Sequence, residues 1–199
     1  MEKPADNKQR NYVIDFLKLF FMFIVVGVHS EYIFEKRLYF LNGALAVEFF
    51  FLISGYLMAK SADKIIQASE QAKKKINIGK ETVKFMFHKY SCIFLPLLVS
   101  IIVCVLIRFF FGDLDLVNNA INSVWELLCG QMYGFTAYYS TGVEWYLSAM
   151  FAAMWILFPL YLKKRDTFSY VIAPLLALFI LGWISLTYGN LAEQAGAWL

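Results

Sequence analysis

Five runs of apolar residues, separated by polar connections, form the main pattern of this sequence. The runs cover residues 12–28, 38–59, 93–111, 145–162 and 168–188. A helix needs about 20 apolar residues to cross the ~30 Å hydrocarbon core of a bilayer, and it satisfies its backbone hydrogen bonds internally. The pattern therefore predicts an all-α polytopic membrane protein with about five transmembrane helices, followed by a tail at residues 189–199.

Basic residues concentrate in alternate connections. Residues 1–11 contain three of them, the connection 60–89 contains eight lysines, and residues 163–165 are all basic. The connection 112–144 has four acidic residues and no lysine or arginine. Because cytoplasmic loops carry the excess of Lys and Arg, we predict a cytoplasmic N-terminus, a basic cytoplasmic loop at 60–89, an external loop at 112–144 and an external tail.

Composition agrees with a membrane protein. The chain is 60% hydrophobic and 17% charged, with a mean hydropathy of +0.59, which excludes an ordinary soluble domain. Its pI of about 8.6 reflects the lysines that set topology, so we predict no nucleic-acid partner. The three cysteines, Cys92, Cys104 and Cys129, lack metal-ligand spacing, and we predict neither a metal site nor a disulfide framework.

The first apolar run contains ionisable side chains at helical spacing. Lys18 and His29 are eleven residues apart, which places them about 20° apart around a helix and ~16 Å apart along it. Asp15, three residues before Lys18, falls on the same face. In the second run, Glu48 stands near the middle. A charge at the bilayer centre costs at least ~2.5–3.5 kcal/mol, so such groups usually face a cavity, a partner or a substrate path. We therefore predict a polar site between the first two helices.

The order of four motifs resembles the membrane acyltransferase 3 family, the bacterial O-acyltransferases of surface glycans. Lys18 and His29 resemble its Arg/Lys-x10-His signature, and the segment 47–56, Val-Glu-Phe-Phe-Phe-Leu-Ile-Ser-Gly-Tyr, is similar to its Val-Asp-x-Phe-Phe-x-x-Ser-Gly-Phe/Tyr element. The segment 87–90, Phe-His-Lys-Tyr, leading to Pro96, resembles its basic-residue-then-Pro motif. The segment 145–149, Trp-Tyr-Leu-Ser-Ala, resembles its Trp-x-Leu-Ser segment. Lysine replaces the arginine that is common at the first position, and Met150 replaces a glutamate that often follows the last motif.

The resemblance implies transfer of an acyl group, most often acetyl, from acyl-CoA as co-substrate to a hydroxyl of a surface or exported glycan. It implies a multi-pass protein of the bacterial cytoplasmic membrane with no bound cofactor. His29 is then the catalytic base or a covalent acyl carrier, because an unperturbed histidine with a pKa of about 6.5 is mostly neutral at neutral pH. Glu48 orients His29 or neutralises Lys18, while Lys18 and Lys89 contact the donor.

The remaining candidates line the site or pack helices. Ser54 and Gly55 allow close helix approach, and Asp15, Trp145 and Ser148 are further lining residues. Three of the candidate residues also have a purely structural interpretation. Lys18 can extend to the headgroups, Glu48 can pair with Lys18, and Trp145 can anchor at the interface.

Two other function classes remain. The chain could be a transporter or channel component that uses Lys18, Glu48 and His29 as a path, or a non-catalytic truncated partner subunit. Members of the family usually have about twice as many helices as this chain. The resemblance therefore covers the N-terminal half, and the expected partners include a missing C-terminal half or a second copy in a homo-oligomer.

Overall fold

The structure is a computed structural model that describes residues 11–29, 43–111, 116–130 and 145–188. Within this part of the chain all regular structure is helical, which confirms the predicted all-α class. The helices are α1 (Tyr12–His29), α2 (Gly43–Gln71), α3 (Ile78–Phe110), α4 (Leu116–Leu127), α5 (Trp145–Lys163) and α6, which joins a first turn (Arg165–Thr167), a π-helical turn (Phe168–Ile172) and a longer stretch (Ala173–Tyr188).

Contacts divide the chain into two compact units. One unit contains residues up to 53 together with those from 187 onward, and the other runs from residue 54 to 186. Helix α1 therefore belongs to the first unit, α3 to α5 belong to the second, and α2 begins in the first and continues into the second.

Four helices in the described part of the chain are long and apolar enough to cross a membrane. They span Leu45–Gln71, Ile78–Phe110, Trp145–Lys163 and Arg165–Leu186. None of the residues in the apolar window of the last helix is buried, so its surface suits lipid rather than water. This confirms a polytopic membrane protein. Helix α1 is not among the four, and the predicted fifth span stays a prediction.

The predicted loop at 60–89 is mostly helical. Helix α2 continues to Gln71 and α3 begins at Ile78, so only residues 72–77 connect them. Residues 60–71 contain no Gly or Pro and are rich in strong helix formers, which explains why the helix does not end at the limit of the apolar run. Helix α3 has 33 residues, about 50 Å, and begins well before the predicted residue 93.

Local hydrogen bonds define the turn between α2 and α3. The N–H of Lys73 donates to the carbonyl of Glu70, and the N–H of Lys74 donates to that of Ser69. Lys73 has a φ of 48°, so the turn is a Schellman motif with a lysine in the left-handed position. Asn77 then caps α3, because its side-chain oxygen accepts a hydrogen bond from the N–H of Lys80 at 3.1 Å.

The predicted external loop 112–144 also contains a helix. Helix α4 is only 12 residues long, about 18 Å, and too short to span. Its end packs against α3, where the Tyr90 hydroxyl donates a hydrogen bond to the carbonyl of Leu127 at 2.7 Å. This bond joins the part of α3 before residue 93 to the segment 112–144, and the predicted cytoplasmic and external sides of these segments stay predictions.

Aromatic stacking holds α3 against α5 in the second unit. The rings of Phe85 and Phe158 lie 4.0 Å apart and are almost parallel, with an angle of 8° between their planes. Further along, Tyr90 meets Phe151 edge to face at 6.3 Å. Phe158 is fully buried. The first half of α3 therefore lies beside α5, and this contact forms the centre of the apolar core.

Candidate functional site

Helix α1 carries Lys18 and His29 without interruption. It begins after Asn11, whose side-chain oxygen accepts hydrogen bonds from the N–H groups of Val13 and Ile14 at 3.2 and 3.4 Å. Because the helix is continuous from Tyr12 to His29, the eleven-residue step corresponds to about 16 Å along one face. Lys18 is half-buried, whereas the side chain of His29 lies outside what the structure describes.

The first unit brings α1 and α2 together through aromatic side chains. Phe21 of α1 stacks on Phe49 of α2, with ring centroids 4.2 Å apart and planes 18° apart. Glu48, the neighbour of Phe49, is exposed on the surface of the helix, and Asp15 is half-buried. One contact between the first two helices is therefore aromatic, and the polar site between them stays a prediction. The orienting role of Glu48 stays a prediction.

The predicted packing residues of α2 lie in the second unit. Ser54 is half-buried and Gly55 is exposed. A methyl group added at Gly55 would meet no atom within 4 Å among the described residues. Within its own unit, Gly55 therefore does not bring a second helix close. A glycine permits such an approach but does not require it, and the packing role of Gly55 stays a prediction.

Lys89 contacts an aromatic ring of its own helix. Its ammonium group lies 5.6 Å from the ring centroid of Phe85, one helical turn earlier. Because Phe85 also stacks on Phe158, the lysine, the first ring and the second ring form a layered contact between α3 and α5. The structure therefore gives Lys89 a structural contact, and its predicted role with the donor stays a prediction.

The Trp-x-Leu-Ser segment forms the first turn of α5, and its tryptophan and its serine differ in solvent exposure. Trp145 is 48% exposed at the first residue of the helix, whereas Ser148 is only 1% exposed. Ser148 lies at the wall of a cavity of about 310 Å³. Ser148 is thus a predicted lining residue that the structure places in a concave, mostly apolar site.

This apolar cavity lies between α3, the end of α4 and α5. Its walls include Val83, Phe87 and Tyr90 from α3, Cys129 after α4, and Ser148, Phe151 and Trp155 from α5. Sequence reasoning missed Cys129, which is buried and has a φ of 53°. The turn after α4 could have been suspected from Cys129-Gly130, but nothing in the sequence pairs it with Tyr90 and Ser148.

Backbone hydrogen bonds fix the end of α4 at the cavity wall. The N–H of Cys129 donates to the carbonyl of Glu126 at 2.9 Å, and the N–H of Gly130 donates to that of Trp125 at 2.8 Å. This is a second Schellman motif, with Cys129 in the left-handed position. Glu126, whose carbonyl accepts the first of these bonds, is 1% exposed. The protein itself therefore satisfies the backbone N–H groups of this buried turn.

A second hollow is basic and lies at the turn between α2 and α3. Its volume is about 470 Å³, and its walls include Lys74, Lys75, Lys80 and Glu81 with Ser69 and Asn77. Three lysines and one glutamate therefore line this basic cleft. In the described part of the chain, no three His, Cys, Asp or Glu side chains are grouped so that they could hold a metal ion.

Comparison with known proteins identifies the family. No curated protein and no solved structure matches this chain significantly. The family model of the acyltransferase domain of the acyltransferase 3 family matches residues 11–199, nearly the whole chain. The match includes α1 with Lys18 and His29 and the α5 segment with Ser148. The chain therefore belongs to the acyltransferase 3 family and is a membrane acyltransferase.

Proposed function

We propose that this protein transfers an acyl group, in the simplest case acetyl, from acyl-CoA to a hydroxyl of a cell-surface or exported glycan. The observation that carries the proposal is the unbroken helix α1, which holds Lys18 and His29 on one face in a chain of the acyltransferase 3 family. A cation and an imidazole about 16 Å apart along one helix suit a donor that approaches from one side and an acceptor from the other.

The chemistry requires a base and charge stabilisation. His29 takes the proton of the acceptor hydroxyl while the oxygen attacks the thioester carbonyl carbon, which gives a tetrahedral oxyanion. The carbon–sulfur bond then breaks, the proton passes to the leaving thiolate, and the products are an O-acyl ester and free CoA. Lys18 contacts anionic or carbonyl groups of the donor. We place the protein in the bacterial cytoplasmic membrane with its N-terminus inside, in agreement with its basic segments.

Acyl transfer in membranes tests this proposal. Membranes that contain the chain are incubated with radiolabelled acetyl-CoA and cell-envelope glycans, and label in the glycan is measured. We expect transfer by the natural chain and none by His29→Ala. The matched control is His88→Ala, which removes the other histidine of the chain, an exposed side chain on α3.

Three outcomes separate the possible roles. Loss in His29→Ala with activity in His88→Ala supports the assignment. Label retained on the protein in the absence of acceptor, and absent in His29→Ala, makes His29 a covalent carrier instead of a base. No transfer by any variant, together with passage of ions or solutes through reconstituted vesicles, would replace the proposal with the transport alternative.

A further inference from the structure

The turn between α5 and α6 marks one surface of the membrane. Helix α5 ends at Lys163 and α6 begins at Arg165, so Lys164 alone separates two helices that can each span a bilayer. A connection between two consecutive spans lies at the membrane surface, because its polar groups need water or lipid headgroups. From Trp145 to Lys163, α5 measures about 27 Å, close to the ~30 Å hydrocarbon core. The three basic residues of the turn therefore lie at the level of the headgroups.

Asp63 brings α2 to this turn. Its carboxylate oxygen Oδ1 lies 2.9 Å from Nε of Arg165 and accepts a hydrogen bond from the Tyr161 hydroxyl at 3.0 Å. All three residues belong to the second unit. Helix α2 rises about 30 Å from Gly43 to Asp63, which is one thickness of the hydrocarbon core. Helix length and side-chain contacts therefore place Asp63 at the same membrane surface as the α5–α6 turn.

Basic side chains flank this contact in both segments. We call them the basic corner, which consists of Lys60, Lys163, Lys164 and Arg165, all of them exposed. The carboxylates beside them are Asp63, which pairs with Arg165, and the exposed Asp166. Four cations against two carboxylates leave a positive charge at the corner. The side chain of Arg165 is 49% exposed although its Nε faces Asp63, and a guanidinium carries further N–H donors for an anion.

Tyrosines lie on the core side of these cations. The ammonium group of Lys60 is 6.0 Å from the ring centroid of Tyr56, one helical turn nearer the start of α2. Tyr170, which is 81% exposed, follows Arg165 by five residues, or about 7.5 Å towards the hydrocarbon core. Tyrosine rings are enriched at this depth of a bilayer, and a lysine stem of this length reaches the headgroups. The corner therefore offers cations to a headgroup and aromatic surface to the chains below it.

We propose that the basic corner binds the headgroup of an anionic phospholipid of the adjacent leaflet. Its phosphate lies between the α5–α6 turn and Lys60, and its acyl chains follow the apolar surface of α6 past Tyr170. None of the residues in the apolar window of α6 is buried, so this surface is open to lipid. Basic pockets between transmembrane helices hold anionic headgroups in this way. The inference goes beyond the proposed function and does not depend on the reaction.

Lipid binding by the purified chain tests this site. The chain in uncharged detergent micelles is titrated with phosphatidylglycerol or with phosphatidylcholine, and native mass spectrometry measures the lipid retained on each chain. We expect the Kd for phosphatidylglycerol to be about tenfold lower or better, because only this lipid has a net negative charge. Added salt should weaken the binding of phosphatidylglycerol more than that of phosphatidylcholine, because salt screens charges at a surface.

Variants of the basic corner assign the binding to these residues. The triple variant Lys60→Gln/Lys163→Gln/Lys164→Gln should raise the Kd for phosphatidylglycerol by roughly fivefold for each lysine removed. Arginine at the same three positions keeps the charge and should restore binding. Arg165 stays unchanged, because its removal would also leave Asp63 without its cation.

The matched control is Lys73→Gln/Lys74→Gln/Lys75→Gln in the turn between α2 and α3. It removes the same charge from exposed positions, but α2 continues about 12 Å beyond Asp63 before this turn begins. That distance exceeds the Debye length of ~8 Å at physiological ionic strength. We therefore expect the control variant to bind phosphatidylglycerol as the natural chain does.

Each outcome decides for or against the lipid site. Weaker binding in the basic-corner variant alone, with recovery in the arginine variant, supports it. Equal affinity of the natural chain for the two lipids would overturn it, as would equal weakening in the two glutamine variants, which indicates a general effect of charge. Displacement of phosphatidylglycerol by low-millimolar inorganic phosphate would make the corner a site for a soluble anion and would also overturn it. None of these measurements uses acyl transfer, so the proposed function stands or fails separately.

Discussion

The Tyr161 hydroxyl donates a hydrogen bond to Oδ1 of Asp63 at 3.0 Å, and this bond joins the later part of α2 to the end of α5. The same carboxylate oxygen lies 2.9 Å from Nε of Arg165, the first residue of α6. One carboxylate therefore connects three helices. The bond also brings the later part of α2 beside the end of α5.

Removing this hydroxyl should weaken the second unit. We expect Tyr161→Phe to lower the free energy of unfolding by about 1 kcal/mol, because the hydrogen bond is lost while the ring packing remains. Unfolding in mixed detergent micelles measures the change. Tyr170→Phe is the matched control, since Tyr170 is 81% exposed, and it should have almost no effect. Equal stability of the two variants would contradict a stabilising role for the Tyr161–Asp63 bond.

Removal of one of the stacked rings at the centre of the core should lower the free energy of unfolding much more. Phe158→Ala removes a fully buried ring that lies 4.0 Å from Phe85, and we expect a loss of about 3–5 kcal/mol. The comparison is Phe179→Ala on α6, whose ring is 68% exposed. Thermal unfolding in detergent reports both variants. Similar losses at the two positions would show that α3 and α5 do not pack as described.

In contrast to the previous substitutions, one change in the turn between α2 and α3 should stabilise the protein. Lys73→Gly should stabilise the protein by about 0.5–1 kcal/mol, because glycine adopts the left-handed conformation of this position without strain. Lys64→Gly, at an exposed position inside α2, should instead destabilise by about 1 kcal/mol. Both variants remove one lysine, so their difference isolates the backbone effect. If both variants lost stability, the Schellman turn at Lys73 would be refuted.

Membrane orientation can be tested at the two basic turns. We expect single cysteines introduced at Lys74 and Lys164 to react with an impermeant thiol reagent only from the cytoplasmic side, in a chain whose three natural cysteines are replaced by serine. Lys74 lies in the α2–α3 turn and Lys164 between α5 and α6. Reaction of both from the external side would invert the predicted topology. Reaction from opposite sides would contradict the Asp63–Tyr161 contact, because Asp63 and Tyr161 lie close to these turns in the chain.

The sequence predicted α5 closely, over 145–162 where the helix is Trp145–Lys163, because an apolar run with basic residues after it has only one stable form in lipid. It placed α3 less well. Residues 78–92 mix lysines with aromatic residues. A search for apolar transmembrane runs therefore leaves them out, although these residues form a helix equally well. Packing against α5 decides where this helix begins. Phe85 contacts Phe158 and Tyr90 contacts Phe151 only when α5 lies beside α3.

The candidate site, like the fold, was predictable from the sequence only in part. The sequence by itself determined the family, the helical membrane class and the spacing of Lys18 and His29, because these depend on local pattern along one helix. Only the tertiary structure decided that Tyr90, Cys129 and Ser148 share one cavity and that, among the described residues, none lies within 4 Å of a methyl group added at Gly55. The spacing of residues shows which face of a helix carries the polar or apolar side chains. Packing between segments far apart in the chain decides which neighbour meets this face.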